Sequence, residues 1–245
     1  MKNTLTVVGT GLKYYSHLTT EVIANIKNAS IVLYLAIEPA IEEWIVENNA
    51  NTKSLYELYI KFPRRIDCYN AITTYILQTL KSEKNVCVAL YGHPTVFADP
   101  ALNAVKLARA EGFDAKIIPA ISSEDCLFAD LLINPGDCGC LSYEATDFII
   151  NERLFSKNSH LILWQIGFIG ALGSVKAHDN SKGQMFLLKS LLREYSGEDF
   201  SYVYEAAQYP MMAPIINKIK IKDLKETLLN EKSTLYIPPV EKKVA

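Results

Sequence analysis

The sequence predicts an α/β fold made of two α/β subdomains, residues 1–125 and 126–245. Three observations carry this reading. Short runs rich in Val, Ile and Leu alternate with helix-period segments at close spacing, the pattern of a parallel sheet with helices on its faces. Loops holding Gly9-Thr10-Gly11 and Gly92-His93-Pro94 directly follow two of those runs. A further loop, Asn134-Pro135-Gly136 with Cys138-Gly139-Cys140, precedes a stretch whose strands are fewer and more widely spaced, so the boundary is placed near residues 120–135.

The elements follow in order. Leu5–Val8 is a buried strand. From His17 to Ala29 the residues Leu18, Val22, Ile23 and Ile26 share a helical face, with Thr19 and Thr20 as N-cap candidates and Glu21 in the first turn. Ile31–Ala36 is a strand and Ile41–Asn48 is helix-like. Ile66–Leu80 places Ala71, Ile72, Ile76, Leu77 and Leu80 mostly on one face of a longer helix. Val86–Tyr91 is a strand, Pro100–Glu111 an Ala-rich helix and Ala115–Pro119 a short strand. Beyond the boundary come an apolar stretch from Tyr143 to Ile150, a strand Leu161–Ile166, a helix Gln184–Tyr195 and a strand Tyr202–Ala206. A candidate strand Ile215–Ile221, a helix from Asp223 and a strand Thr234–Ile237 complete the order, and the charged tail from Pro238 is expected to fray.

Composition narrows the function classes. The 245 residues hold 25 Lys+Arg against 27 Asp+Glu, a net charge of -2, so bulk electrostatic binding of nucleic acid is not expected. An apolar fraction of 49% argues against disorder. No signal-peptide pattern opens the chain, and the longest apolar run, Leu161–Leu172, is too short to span a bilayer. A cytoplasmic protein with no membrane partner is expected. The 5 cysteines make no disulfide framework. Cys138-Gly139-Cys140 has the form of a metal half-site, but no His or second Cys pair stands at ligand spacing, so it reads as two thiols in a loop. Tyrosine is in surplus, with 14 Tyr against 9 Phe.

Gly9-Thr10-Gly11 between a strand and a helix invites a dinucleotide reading. The third glycine of that fingerprint would fall at Tyr14, and no acid follows the second strand before Glu38, so a tight turn is the better reading. Tyr91-Gly92-His93-Pro94-Thr95-Val96-Phe97-Ala98 and Pro119-Ala120-Ile121-Ser122-Ser123 are strand-end loops of the type that lines a small-molecule cleft.

Four segments together resemble the S-adenosyl-L-methionine-dependent tetrapyrrole methylase fold. They are Val7 to Leu12, Tyr91 to Phe97, Pro119 to Ser123, and the final strand Ser233-Thr234-Leu235-Tyr236-Ile237-Pro238-Pro239. That fold carries the active site in the cleft between its two subdomains. Where most of that superfamily reads Gly-Asp-Pro, this chain has His93, a departure that counts against a tetrapyrrole acceptor. The sequence is more similar to the borosin branch, which α-N-methylates backbone amides of a ribosomally made peptide. The blocks that carry this are Leu55-Tyr56-Glu57-Leu58-Tyr59, Arg64-Arg65-Ile66-Asp67-Cys68-Tyr69, Tyr91-Gly92-His93-Pro94, Cys126 to Leu131, Leu163-Trp164-Gln165-Ile166 and the final strand, in that order. Fused members run on into a clasp and their own substrate. This chain stops soon after the last strand, so the resemblance implies the split type, acting on a separately encoded precursor peptide, with a homodimer and a heterotetramer with two peptides.

An amide nitrogen is a poor nucleophile because its lone pair is delocalised into the carbonyl. Its methylation needs a way out for the N–H proton and fixed donors for charge growing on the oxygen. It needs no metal. Arg65 and Tyr69 stand four apart at a helix start, so they share a face, and a guanidinium there is expected to lower the phenol pKa. The resemblance implies Tyr69 as base or proton relay, Arg65 as its tuner, and Tyr56, Tyr59 and Tyr91 as groups that position the amide. For the cofactor, whose spent form is S-adenosyl-L-homocysteine, it implies Tyr91, His93, Val96, Phe97, Ala98 and Ser122. It adds Gln165, Ala206, Ala207, Ser233 and Thr234 toward the adenosine. His17, His160 and His178 are read as surface or structural residues. Two rival readings stand beside this one: a same-fold methyltransferase for a tetrapyrrole, RNA or modified side chain, and a non-catalytic peptide-binding partner.

Overall fold

The computed structural model describes residues 2–36, 38–171 and 180–240, which group into two compact units. One unit is the chain up to Cys126 together with Gln208–Met212; the other holds Leu127–Ala171 and the remaining described residues. His178 lies outside the described residues.

The first unit runs β1 (Thr4–Gly9), α1 (Thr20–Asn28), β2 (Ile31–Leu35), α2 (Pro39–Asn48), β3 (Thr52–Ser54), α3 (Tyr56–Ile60), α4 (Arg65–Ser82), β4 (Asn85–Leu90), α5 (Asp99–Ala110) and β5 (Asp114–Ile118). Helix α6 (Ser123–Asp130) begins in this unit. The sheet is wholly parallel, in the order β3-β2-β4-β1-β5. Its central strands β1 and β4 are buried almost throughout, as strands covered on both faces must be. Leu5 and Val7 of β1 face α4 and α5, where Ile72, Ile76, Leu80, Ala104 and Ala108 pack. Val8 faces the other way, toward Val22 and Ile26 of α1 and Ile41 and Ile45 of α2. Each such aliphatic side chain contributes about 1.5–3 kcal/mol by leaving water.

Local chemistry sets the helix ends. The Thr19 hydroxyl caps α1 by accepting the Val22 N–H at 3.2 Å. The helix thus begins after one of the two N-cap candidates the sequence offered, with Glu21 in its first turn and His17 in the loop before it. Pro39 and Pro100 stand in first turns, where a missing N–H costs nothing. Gly112 stops α5 with φ 83°. The chain leaves β1 for β2 on one side of the sheet, and leaves β4 past β1 for β5 on the other. In open α/β sheets such a reversal marks where ligands bind, which makes the carboxyl ends of β1 and β4 the candidate site.

The second unit contains α7 (Pro135–Cys138), β6 (Cys140–Glu144), α8 (Ala145–Ile150), β7 (His160–Trp164), α9 (Ser181–Leu191), β8 (Phe200–Glu205), β9 (Ile215–Lys220) and β10 (Thr234–Ile237). Its strand order is β6-β7-β10-β8-β9, with β6 and β7 parallel and the other pairs antiparallel. Leu161, Leu163, Val203, Leu235 and Ile237 pack against Phe148, Leu187 and Leu191.

The structure departs from the sequence reading in several places. Both sheets have five strands, so the second half is not poorer in them. The elements β3, α3, α6 and α7 were not foreseen; none exceeds eight residues, too few for a clear period. The stretch from Tyr143 to Ile150 is the end of β6 followed by α8. The helix expected from Asp223 is a 3-10 segment, Ile221–Glu226. No described helix is long and apolar enough to cross a membrane.

Candidate functional site

Three loops meet at the carboxyl ends of β1, β4 and β5. Gly9 closes β1 where a Cβ would collide with the Gly92 carbonyl oxygen and lie 2.6 Å from Ala120 Cβ and 2.7 Å from Pro94 Cδ. Gly11 and Gly92, both at φ 70°, exchange backbone hydrogen bonds of 3.2 and 3.0 Å. The Gly-Thr-Gly segment is thus a tight turn that locks to the β4 loop. His17 folds over it, and its Nδ1 accepts the N–H groups of Leu12 and Lys13 at 3.2 Å each. Burial holds its imidazole below the ordinary value, with Lys13 acting the same way and Asp125 opposing, so it stays a neutral acceptor with a structural role.

The β4 loop is built from local constraints. Tyr91 N–H bonds the Leu35 carbonyl at 3.2 Å, fixing the loop to the end of β2. His93 Nδ1 lies 3.3 Å from Thr95 N and 3.0 Å from its hydroxyl. Pro94 is buried, whereas Val96 and Phe97 leave 40% and 44% of their surface in solvent. Phe97 stands at φ 54°, an uncommon conformation for a bulky residue and one that marks sites held for function. Ala98 follows as the residue before α5 and packs on the core. On the β5 loop, Ser122 is buried; its hydroxyl and N–H both reach Asp125 Oδ2 at 2.7 Å, and its oxygen accepts the Asp125 N–H. Ser122 is therefore first a cap for α6.

The tyrosine–arginine set sits on α3 and α4. Leu55 is fully buried and donates its N–H to Tyr34 O at 2.8 Å, anchoring the start of α3. The turn between the helices is pinned by Cys68, whose thiol accepts the Phe62 N–H and donates to the Phe62 carbonyl, both at 3.4 Å. α4 begins at Arg65, which puts it one turn before Tyr69. The Tyr59 and Tyr69 rings stack, centroids 6.3 Å apart with 28° between planes. The Thr73 hydroxyl lies 3.0 Å from the carbonyls of both Tyr69 and Pro100, tying α4 to the start of α5. Tyr56 is half exposed.

The expected electrostatics of Tyr69 are corrected. Burial pushes its phenol up to about 12, and Tyr59 adds to the shift. Arg65 does pull it down, as the i, i+4 spacing implied, but burial outweighs that pull. At neutral pH Tyr69 is an undissociated phenol. Burial raises Tyr91 as well, with a side-chain hydrogen bond to Gln208 opposing and Glu38 reinforcing.

Glu38, Gln208 and Tyr209 are residues the sequence reading missed. Tyr209 donates its hydroxyl to Glu38, and the Gln208 carbonyl accepts the Tyr14 N–H at 2.9 Å. No local pattern marks them: Glu38 and Gln208 reach Tyr91 from far along the chain, and Tyr209 joins them through Glu38.

In the second unit, Gln165 follows β7 at φ 57°, again uncommon for a side-chain-bearing residue. Next to it, a Cβ on Gly167 would strike the Asn230 carbonyl, so that turn packs directly on backbone. Ser233 is fully enclosed; its hydroxyl donates to Glu205 Oε1 at 2.9 Å and accepts the Asn230 N–H at 3.0 Å. That commitment makes Ser233 the builder of the turn leading into Thr234 rather than a free donor for a ligand. Ala206 and the buried Ala207 directly follow β8. His160 Nδ1 lies 2.8 Å from the Tyr236 hydroxyl. Among the described residues no group of three or more His, Cys, Asp or Glu is placed to hold a metal. A hollow lined by Thr4, Thr6, Asn85 and Asp114 lies at the amino ends of the strands, away from the crevice the topology defines.

The sequence from residue 4 to 158 matches the tetrapyrrole (corrin/porphyrin) methylases, and the chain belongs to that family. It is 38% identical over 243 residues to a Gymnopus fusipes protein called "methyltransferase/ribosomally synthesized cyclic peptide gymnopeptides precursor", covering 98% of this chain and 58% of that protein. It is 36% identical over 246 residues to the corresponding omphalotin A precursor protein of Omphalotus olearius, covering 98% and 59%. The chain thus spans less than two thirds of the length of these curated relatives. Its fold is that of a uroporphyrin-III-C-methyltransferase from Thermus thermophilus, with TM-score 0.69 at 17% identity over 98% of this chain and 93% of that one. A second structure of that enzyme, complexed with S-adenyl homocysteine, gives TM-score 0.67 at 15% identity over 96% and 92%.

Proposed function

We propose that this methyltransferase uses S-adenosyl-L-methionine to α-N-methylate backbone amides of a ribosomally made precursor peptide supplied as a separate chain. The observation that carries the reading is the stacked Tyr59–Tyr69 pair one turn from Arg65, on helices of the unit whose strand-end loops pack tightly at Gly9. The names of the fungal relatives support the peptide acceptor.

The loop residues suit the cofactor. Val96 and Phe97 present apolar surface on a strained loop at the switch point, and Ala98 leaves room beside them. In this reading Tyr91, His93, Val96, Phe97, Ala98 and Ser122 hold it, with Gln165, Ala206, Ala207 and Thr234 assigned to adenosine and Ser233 to the turn before Thr234. When bound, the cofactor supplies an electrophilic methyl group.

The chain's own residues must then manage one proton and one developing charge. A phenol at about 12 is a poor base at neutral pH but a good relay. Tyr69 takes the amide proton at Oη as its own proton passes to water, so no free phenolate accumulates. Arg65 stabilises negative charge on that oxygen during the transfer. Tyr56, Tyr59 and Tyr91 are donors for the amide carbonyl, whose oxygen gains charge as the nitrogen loses its proton. A homodimer bound to two peptides is part of the proposal.

The test is transfer of a labelled methyl group from S-adenosyl-L-methionine to a panel holding the precursor peptide, a uroporphyrin-type tetrapyrrole and ribosomal RNA. Label in the peptide alone is the expected result. Label in the tetrapyrrole or RNA assigns another acceptor, and no label in any of them, with the cofactor still bound, returns the chain to a peptide-holding role.

A further inference from the structure

The Cys-Gly-Cys segment at the start of the second sheet plays no part in the proposed methyl transfer. Cys138 ends α7 with its side chain exposed, and Cys140 opens β6 half-buried; neither is in a disulfide. Between them Gly139 holds φ 72° and ψ 158°, a conformation natural only to glycine. The Gly139 carbonyl accepts the His160 N–H at 3.0 Å, which fastens this turn to the neighbouring strand β7. Cys140 is paired in register with His160, whose Nδ1 meets the Tyr236 hydroxyl. Burial raises the Tyr236 phenol, and Cys140 and Cys138 both raise it further, so both thiols stand within electrostatic range of one hydroxyl.

We propose that Cys138 and Cys140 form a redox-active dithiol that closes to an intramolecular disulfide by exchange with a low-molecular-weight disulfide. The Cys138 thiolate, the accessible one, attacks a sulfur of the small disulfide. One small thiolate leaves, and a mixed disulfide forms on Cys138. The Cys140 thiolate then attacks the Cys138 sulfur, forming the Cys138–Cys140 bond and expelling the second small thiolate. The protein loses two electrons, the small disulfide gains them, and the two thiol protons pass to the two leaving groups. Gly139, in a conformation natural to glycine, gives the turn between the two cysteines the backbone freedom that closing a bridge across one residue requires. The other three cysteines, Cys68, Cys87 and Cys126, are buried and stay out of the exchange.

A bridge across one residue is strained, and strained disulfides are readily reduced again. The pair therefore opens and closes rather than serving as a permanent staple.

The experiment treats the folded, reduced protein with oxidised glutathione and reads intact and peptide mass without reductant. The expected product has lost two hydrogens within the peptide carrying both residues, reversed by dithiothreitol. Cys138→Ser is expected to abolish glutathione attachment in this segment, and Cys140→Ser to trap a stable glutathione adduct on Cys138. Phenylarsine oxide, which bridges paired thiols, provides a check on the unaltered sequence: one arsenical is expected on the wild type and none on either variant. Wild-type protein that accumulates only a glutathione adduct on Cys138, or that takes up no arsenical, overturns the proposal.

Discussion

The Tyr69 ring lies stacked on Tyr59, 6.3 Å between centroids, with one residue on α4 and the other on α3. Burial raises the Tyr69 phenol to about 12, and Tyr59 adds to the shift, despite Arg65 one turn away. In the proposed mechanism, proton handling therefore rests on a neutral phenol.

Replacing Tyr69 with Phe keeps the stacked ring and removes only the hydroxyl. The expected effect is a fall in methylation rate of about 10²–10⁴-fold with the thermal transition little changed. Single-turnover kinetics beside a melting curve give both quantities, and a variant that methylates at the wild-type rate removes Tyr69 from the relay.

The pH dependence separates a relay from a phenolate base. A base of pKa about 12 would give a rate rising about tenfold per pH unit through the neutral and mildly alkaline range. The relay predicts a much shallower rise. A full tenfold slope would restore the phenolate.

Alkaline stability follows with a definite sign. The folded pKa of Tyr69 is raised from 10.0 to about 12, so folding favours its protonated form. Stability from this group is complete below pH 10 and is lost as pH rises from 10 toward 12. Burial raises Tyr34 and Tyr91 too, and they act in the same direction. Urea titrations at stepped pH are expected to show the midpoint falling across that window and less steeply in Tyr69→Phe.

Gly9→Ala introduces a Cβ where the Gly92 carbonyl, Ala120 and Pro94 already stand. Two of the loops must move, so a loss of about 1–3 kcal/mol is expected. Denaturant unfolding measures it. Gly112→Ala is a useful contrast, since no atom lies within 4 Å of its Cβ position and only the φ of 83° opposes it.

The parts of this protein legible in its sequence are those fixed by local patterns. β1, β4 and the long face of α4 announce themselves by apolar runs and by Ile72, Ile76 and Leu80 at helical spacing. The Arg65–Tyr69 face follows from i, i+4 geometry alone. The sign of the Tyr69 shift was not legible, because burial is a tertiary property. Gln208 beside Tyr91 was hidden for the same reason. Ser233 looked like a ligand donor because its enclosure by Glu205 and Asn230 exists only in the folded turn.

The most direct test of the central claim is the position of the methyl group. The protein is incubated with S-adenosyl-L-methionine and its precursor peptide, and the product is fragmented by tandem mass spectrometry. The account predicts mass steps of one methylene, each localised to a backbone amide nitrogen. Methyl groups localised to side chains, or a peptide that gains no mass while another acceptor does, would contradict it.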